Sequence, residues 1–299
     1  MGENSLIGWT HHTMNFWTGC HKVSPGCDNC YIGPWHLWRG KGTGFEGPFR
    51  TKNWTGPAKW NRQCERAGVR QRVFTCSLSD FFHGHADPWR DEAWRIIRDT
   101  PWLDWLVLTK RHKQIAKRLP ADWGDGYANV WLGVTCEHQD MLERLDYLTA
   151  IPARVRFISA EPLLGPVDFE PWLKQGGIHW IITGCEKAAK AIRRPMERDW
   201  VRDIDKQCKA FGIPHYFKQY YEGTTITFDN RLDGVVRAEF PQSAVLSEDE
   251  AIMREYELAA KMEDCRAPTR SAAARKAWAT RRANAKIKAT AETDEQKFE

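Results

Sequence analysis

Five short apolar runs, most of them followed by helical stretches, constrain the fold of this chain more than any other feature. Residues 72–77, 105–109, 129–135, 155–159 and 178–183 are apolar almost throughout, as in Val130-Trp131-Leu132-Gly133-Val134. A strand with one face in water alternates polar and apolar side chains, and these runs do not, so both faces must be covered. Helices are predicted at 88–99, 110–119 and 139–148. An amphipathic helix at 197–211 leads to a further strand around Phe217. Strands and helices alternating in this way predict a parallel sheet with helices packed on it. With an initial strand at 15–18, the pattern gives six strands, and seven with the one near Phe217. The fold class is therefore α/β, a partial (β/α) barrel of about six to seven strands rather than the eight of a closed barrel. An open doubly wound sheet satisfies the same pattern.

In parallel α/β folds the loops after the carboxyl ends of the strands open on one face, and that face carries the site. The polar residues of this chain gather just after its predicted strands: Cys20, Cys27 and Cys30, then Ser77, Ser79 and Asp80, then Lys110, Glu137, Ser159, Glu161, Glu186, Lys218 and Gln219. Any one alone reads as a helix cap or a surface charge. Their shared position is the signal.

The three cysteines occupy one short loop, Thr18-Gly19-Cys20-His21-Lys22-Val23-Ser24-Pro25-Gly26-Cys27-Asp28-Asn29-Cys30-Tyr31, with the spacing C-x6-C-x2-C. Thiolates select zinc, copper(I) or iron-sulfur clusters. Three of them suit a [4Fe-4S] cluster with one iron left open. A zinc site completed by His11, His12 or His21 is the alternative, since closed zinc sites take four ligands, and unconnected cysteines are a third reading. Cys76 and Cys208 lie on apolar faces and are expected to be inert core residues. Cys185 is within reach of the site.

Composition limits the setting. The 299 residues carry a formal charge of +5, and between Arg266 and Lys288 there are eight Lys or Arg and no acid. Such a run suits a nucleic acid or another polyanion. Nine cysteines, an odd number, and an amino terminus with neither a basic nor an apolar leader pattern point to a reducing cytoplasm. No run approaches the roughly 18 apolar residues of a membrane span. Ten of the sixteen tryptophans fall in the first 105 residues. They read as stacking surfaces for bases or, more commonly, as core. The organisation expected is a barrel with its cysteine loop over residues 1–222, a small extension over 223–264 containing a hairpin at 228–236 and an exposed helix at 247–264, and a helical or disordered basic tail over 265–299.

A loop ending in Cys-x-x-Cys-Tyr after a first strand resembles the cluster loop of radical S-adenosylmethionine (SAM) enzymes, in particular the spore photoproduct lyase-like branch, although the common spacing there is C-x3-C-x2-C. The segments Ser77-Leu78-Ser79-Asp80-Phe81-Phe82-His83, Leu108-Thr109-Lys110-Arg111, Ser159-Ala160-Glu161-Pro162-Leu163-Leu164-Gly165 and Phe217-Lys218-Gln219 resemble a phage- and prophage-encoded radical-SAM-like family with the longer loop. The resemblance runs from about Ile7 to Pro241, with departures at Thr183-Gly184-Cys185-Glu186-Lys187 and at Tyr220. It implies a barrel of the radical SAM type and a [4Fe-4S] cluster on Cys20, Cys27 and Cys30. The open iron would bind the amino and carboxylate groups of SAM, and an external electron donor would drive sulfonium cleavage to methionine and a 5′-deoxyadenosyl radical.

Under that resemblance Ser77, Ser79, Asp80 and Lys110 are candidates for the SAM amino, carboxylate and ribose groups. Glu137 and Glu161 would meet the ribose or sulfonium region, Tyr31 would pack on the adenine, and Glu186 and Lys218 would face substrate. It also implies a DNA substrate in a host cytoplasm, an amino-acid-adducted thymine rearranged during hypermodification of phage DNA. Two other readings remain: a radical SAM enzyme acting on a small molecule or peptide, and a non-catalytic zinc-stabilised nucleic-acid-binding protein.

Overall fold

The apolar runs become neighbouring strands of one sheet. A computed structural model describes residues 2–241, which belong to a single compact unit. In chain order the elements are β1 (His12–Met14), β2 (Trp17–Thr18), α1 (Ile32–Trp38), β3 (Phe49–Arg50), α2 (Gly56–Ala67), β4 (Gln71–Thr75), α3 (Asp87–Arg98), β5 (Leu103–Thr109), β6 (Val130–Thr135), α4 (Glu143–Thr149), β7 (Val155–Ala160), α5 (Glu170–Gln175), β8 (Trp180–Gly184), α6 (Arg198–Phe211), β9 (His215–Glu222), β10 (Thr225–Thr227), β11 (Arg231–Leu232) and β12 (Val235–Val236). The main sheet has eight strands in the order β1-β4-β5-β6-β7-β8-β9-β10. Seven are parallel, and β10 closes the series antiparallel to β9. Because β1 and β10 are not paired with each other, the sheet is a curled half-barrel, as the strand count predicted.

Alternate residues of these strands enter two different cores. Val73, Val107, Leu132, Val134 and Ile158 pack with helix residues Trp60, Trp94, Ile97, Leu145 and Ile204. Phe74, Leu106, Trp131, Phe157, Trp180 and Tyr216 pack with one another on the opposite, concave face. Each fully buried side chain of this size is worth about 1.5–3 kcal/mol. Gly133 makes the concave packing possible, because a Cβ there would fall 2.4 Å from the Phe157 ring. Along each strand this face passes from large to polar: Trp131, Gly133, Thr135 on β6, and Phe157, then Ser159 on β7. The foot is an aromatic plug and the carboxyl-end mouth is polar.

Three local expectations are corrected. The strand expected at 15–18 divides, because Asn15 turns the chain by accepting the Leu78 N–H at 2.9 Å; β1 joins the sheet beside β4, whereas β2 pairs with β3. The helix expected at 110–119 is two 3₁₀ turns, His112–Gln114 and Ala116–Arg118. The Lys110 N–H is taken by Asp80 at 2.9 Å and the Arg111 N–H by the Thr109 hydroxyl at 2.8 Å, but the Arg111 backbone, at φ −104° and ψ 51°, lies outside the helical region, so no α-helix runs through it. The helix at 139–148 is a 3₁₀ turn, Gln139–Met141, followed by α4. Beyond Glu222 the chain returns to the sheet through β10 and through the Phe217 N–H bonded to Arg237 O at 2.8 Å.

The hairpin expected at 228–236 is present as β11 and β12. The helix expected at 247–264 and the basic tail lie outside the described residues. No helix among the described residues is long and apolar enough to cross a membrane. Trp9, Trp17, Trp94 and Trp105 are core residues, whereas Trp38 is 79% exposed. Cys76 and Cys208 are buried as expected, and burial raises both thiols.

Candidate functional site

The cysteine loop crosses the mouth and is tied down on both sides. The Gly19 N–H bonds Leu78 O at 2.8 Å, the Ser79 hydroxyl donates to Gly19 O, and the Cys20 N–H bonds Gly44 O at 2.9 Å. Gly19 has φ +93°, and a Cβ there would lie 2.4 Å from Gly47 O, so only glycine fits. Pro25–Cys27 forms a 3₁₀ turn, and the Cys30 N–H closes on Cys27 O at 3.3 Å.

Three carboxylates predicted to meet cofactor or substrate are engaged in holding this architecture. Glu137 is fully buried; it accepts the Ser24 hydroxyl and, at 3.1 Å, the Gly26 N–H, while pairing with buried Arg144 at 2.8 Å. Burial works to raise its carboxyl, but Lys110 and Arg144 prevail and hold it below the usual value. Glu186 accepts the Asn29 amide and the Arg194 N–H, each at 2.9 Å, and the Arg194 guanidinium. Arg194 continues to Pro25 O at 2.9 Å, so Glu186 clamps the far side of the loop. Asp80 takes the Thr109 hydroxyl at 2.7 Å and the Phe82 N–H at 2.9 Å on one oxygen, and the Lys110 N–H at 2.9 Å on the other. Ser77 shares its hydroxyl with the Asn15 amide at 3.1 Å.

The groups left facing the mouth are fewer. Half-buried Lys110 reaches the Thr135 hydroxyl at 3.5 Å. Burial opposes its charge, yet Glu137 and the Cys27 and Cys30 thiols outweigh this and raise its pKa. Lys218 pairs with Glu161, which also accepts the Gln219 amide at 3.1 Å. Tyr31 donates to Ser77 O. Burial pushes the Cys20 thiol up to about 11, with Asp80 adding to the rise and Arg111 opposing it. Burial also raises Cys30, against the Ile32 N–H and Lys110. Arg111 spans the start of the loop, 2.8 Å from His21 O and 4.0 Å from Cys20 Sγ. Both thiols would be easier to ionise with these cations than without them.

Among the described residues, ligand atoms of His21, His83 and His85 lie within 4.8 Å of one another. His11 and His12 are engaged elsewhere, on the Arg72 N–H at 2.8 Å and the Gln71 amide oxygen at 2.7 Å. The histidine trio was not legible from sequence. His83 Nδ1 accepts the His85 N–H at 3.1 Å, which puts the neutral ring's proton on Nε2, 2.9 Å from His21 Nδ1. Burial, with Arg111, His21 and His85 adding, lowers His83 to about 3. In that tautomer His83 donates into the trio and offers it no lone pair, so the trio supports the loop through hydrogen bonds.

Sequence reasoning also missed Arg144, Arg194, Asn29 and Arg111. Arg144 had a signal: with Met141, Leu145 and Leu148 it occupies the apolar stripe of a short helix, where a cation needs a buried partner. Arg194 lies in an irregular segment and had none.

Among solved structures the chain is similar to spore photoproduct lyase. One is a double variant with bound AdoMet and dinucleoside spore photoproduct, with TM-score 0.42 and 14% identity over 66% of this chain and 61% of that one. A second, complexed with dinucleoside spore photoproduct, has TM-score 0.39 and 15% identity over 64% and 59%. The chain thus matches less than two thirds of the length of either. No curated protein matches it. Residues 4–291 match the model of a family described as "Protein of unknown function (DUF5131)", and the chain belongs to that family.

Proposed function

We propose that this protein is a radical SAM enzyme. The observation that carries the reading is a loop of three thiols at the carboxyl-end mouth of a parallel half-barrel, beside Lys110 and Arg111. Cys20, Cys27 and Cys30 would hold a [4Fe-4S] cluster, and Lys110 and Tyr31 would meet the polar groups and adenine of SAM. Bound there, the pair supplies one-electron cleavage of the sulfonium and hydrogen abstraction from the substrate, with electrons from an external donor.

The chain's own work is positional. Glu137, Glu186 and Ser79 fix the loop, Asp80 and Ser77 hold the neighbouring strand ends, and Glu161 with Lys218 presents a charged pair toward substrate. For the substrate we favour a modified base in DNA, such as an amino-acid-adducted thymine of phage DNA undergoing rearrangement in the cytoplasm. The basic run from Arg266 to Lys288 supports a polyanionic partner. On this reading residues 1–222 are catalytic, 223–264 an extension and 265–299 a recruiting tail.

The test is anaerobic reconstitution followed by an assay for 5′-deoxyadenosine from SAM and dithionite. Roughly four irons per chain and absorption near ~400 nm are expected, both lost in Cys20→Ala and retained in Cys208→Ala. One zinc per chain without acid-labile sulfide would overturn the reading.

A further inference from the structure

Immediately after Cys30, α1 presents two unlike faces. Ile32, Gly33 and His36 are buried. The segment around Thr43 to Phe45 lies over them, since a Cβ on Gly33 would fall 3.0 Å from the Phe45 ring and the His36 ring lies 2.9 Å from a Cβ on Gly44. Tyr31, Trp35 and Trp38, at helical spacings of four and three, occupy the other face. Tyr31 is 44% exposed, Trp38 79% exposed, and Trp35 half-buried.

Two indoles in water would ordinarily be a liability, but here a cation is interleaved with them. The Arg39 guanidinium lies 4.4 Å from the Trp35 ring centroid and 5.4 Å from that of Trp38. Lys41 follows, and Lys22 stands 5.0 Å from the Phe45 ring. Residues 31–45 contain no acid. The nearest carboxylates in sequence are engaged, Glu46 with Thr43 at 2.8 Å and Asp28 with Arg194 at 3.3 Å. Aromatic faces interleaved with cations complement a chain with flat rings and a negative backbone. At about 1.5 Å per residue the stripe from Tyr31 to Trp38 spans roughly 10 Å, the height of about three bases stacked 3.4 Å apart. A duplex hides its base faces, so the fit is to a single strand.

We propose that Trp35 and Trp38, with Arg39 and Lys41, form a stacking ladder that binds single-stranded nucleic acid and leads it past Tyr31 to the mouth at Cys30. This deepens the nucleic-acid reading of the substrate. The test is fluorescence anisotropy of the reconstituted full chain with end-labelled 12-mer single-stranded DNA, the same sequence as RNA, and the DNA duplex. Trp38→Ala and Trp35→Ala are each expected to weaken single-strand binding about tenfold or more, with Trp38→Phe retaining most of it and the duplex little affected. Arg39→Gln should flatten the salt dependence of single-strand binding, by about 0.7 in log K against log salt.

Equal single-strand affinity in wild type, Trp38→Ala and Trp35→Ala would overturn the ladder. So would an unchanged affinity accompanied by loss of self-association in Trp38→Ala, which would make the patch a contact between copies. RNA bound better than DNA would support the ladder and redirect the substrate. The anisotropy needs neither iron nor SAM, so a chain that takes up no cluster fails the radical reading while the ladder is still decided by the same affinity ratio.

Discussion

The foot and the mouth of the half-barrel are both buried, and they are held together by different physics. At the foot Phe74, Trp131, Phe157, Trp180 and Tyr216 fill the concave face with aromatic area, a contribution that scales with the surface buried and carries no direction or charge. At the mouth the same strands lead to Asp80, Glu137 and Glu186, each spending its oxygens on named donors. Such groups act through direction and charge, and removing one partner strands the other. The foot can make the barrel stable without specifying any chemistry. The mouth places three thiols at some risk to stability.

The largest effects should test whether this division is real. Glu137→Gln leaves Arg144, 3% exposed, without its counter-charge, and an uncompensated buried ion costs about 3–5 kcal/mol. Trp180→Ala removes a fully buried indole, also about 3–5 kcal/mol. Urea denaturation should therefore show similar losses for the two variants. Reconstituted iron per chain, measured at low temperature where both are folded, should fall in Glu137→Gln and hold in Trp180→Ala. Iron lost equally from both would dissolve the distinction.

Next in size is a charged network on the convex side of the foot. Buried Asp205 accepts from His215 at 3.0 Å, Arg237 at 2.6 Å and Lys209 at 2.7 Å. Burial works to raise its carboxyl, but these donors more than offset it and hold the group well below the ordinary value. A carboxyl whose folded pKa is depressed stabilises the fold above its unfolded pKa of about 3.9, and that stability drains away as pH falls below it. Acid titration of stability should be steep below about pH 4 in wild type and flatter in Asp205→Asn, which should cost about 1.5–3 kcal/mol at pH 7. Identical acid limbs would mean that Asp205 contributes nothing to the foot.

How much of this was legible beforehand follows the same division. The apolar runs specified the sheet because a strand buried on both faces can be satisfied by few architectures, and seven parallel strands resulted. The strand-end rule located the mouth but not the partners within it. Glu186 and Lys218 occupy equivalent strand-end positions in the sequence, yet one is bound by Arg194 from an irregular segment and the other faces Glu161. Residues 110–119 read as a basic helix because propensity is a local quantity, whereas Arg111 leaves the helical region and its guanidinium bonds His21 O on the cysteine loop, ninety residues away. The tryptophans divided in the same manner: spacing alone does not tell the buried Trp94 from the exposed Trp38.

Lys110 sharpens the comparison at the level of the cofactor. Its ammonium faces the Cys27 and Cys30 thiols and Glu137 without belonging to the loop. Lys110→Met should preserve the fold and the iron while weakening SAM binding by about 1.5–3 kcal/mol, the loss of one charge-assisted hydrogen bond. Calorimetry on the iron-loaded variant measures this. Unchanged SAM affinity would move the cofactor's polar groups to Lys218 or elsewhere.

The smallest expected effect asks whether the loop clamp is one unit or a set of separate bonds. Ser24 and the Gly26 N–H share a single oxygen of Glu137, while Arg144 takes the other. Ser24→Ala removes one donor to a carboxylate that keeps its ion pair, so the direct cost should be near 1 kcal/mol, with iron content only slightly reduced. If the clamp is cooperative, the loss on adding Ser24→Ala to Glu137→Gln should be smaller than the loss in wild type, because the acceptor it served has already lost its charge. Residues that share a partner show coupling of about 0.5–3 kcal/mol in such cycles. Strict additivity within about 0.3 kcal/mol would mean that the bonds act independently, and the mouth would then resemble the foot in being a sum of parts.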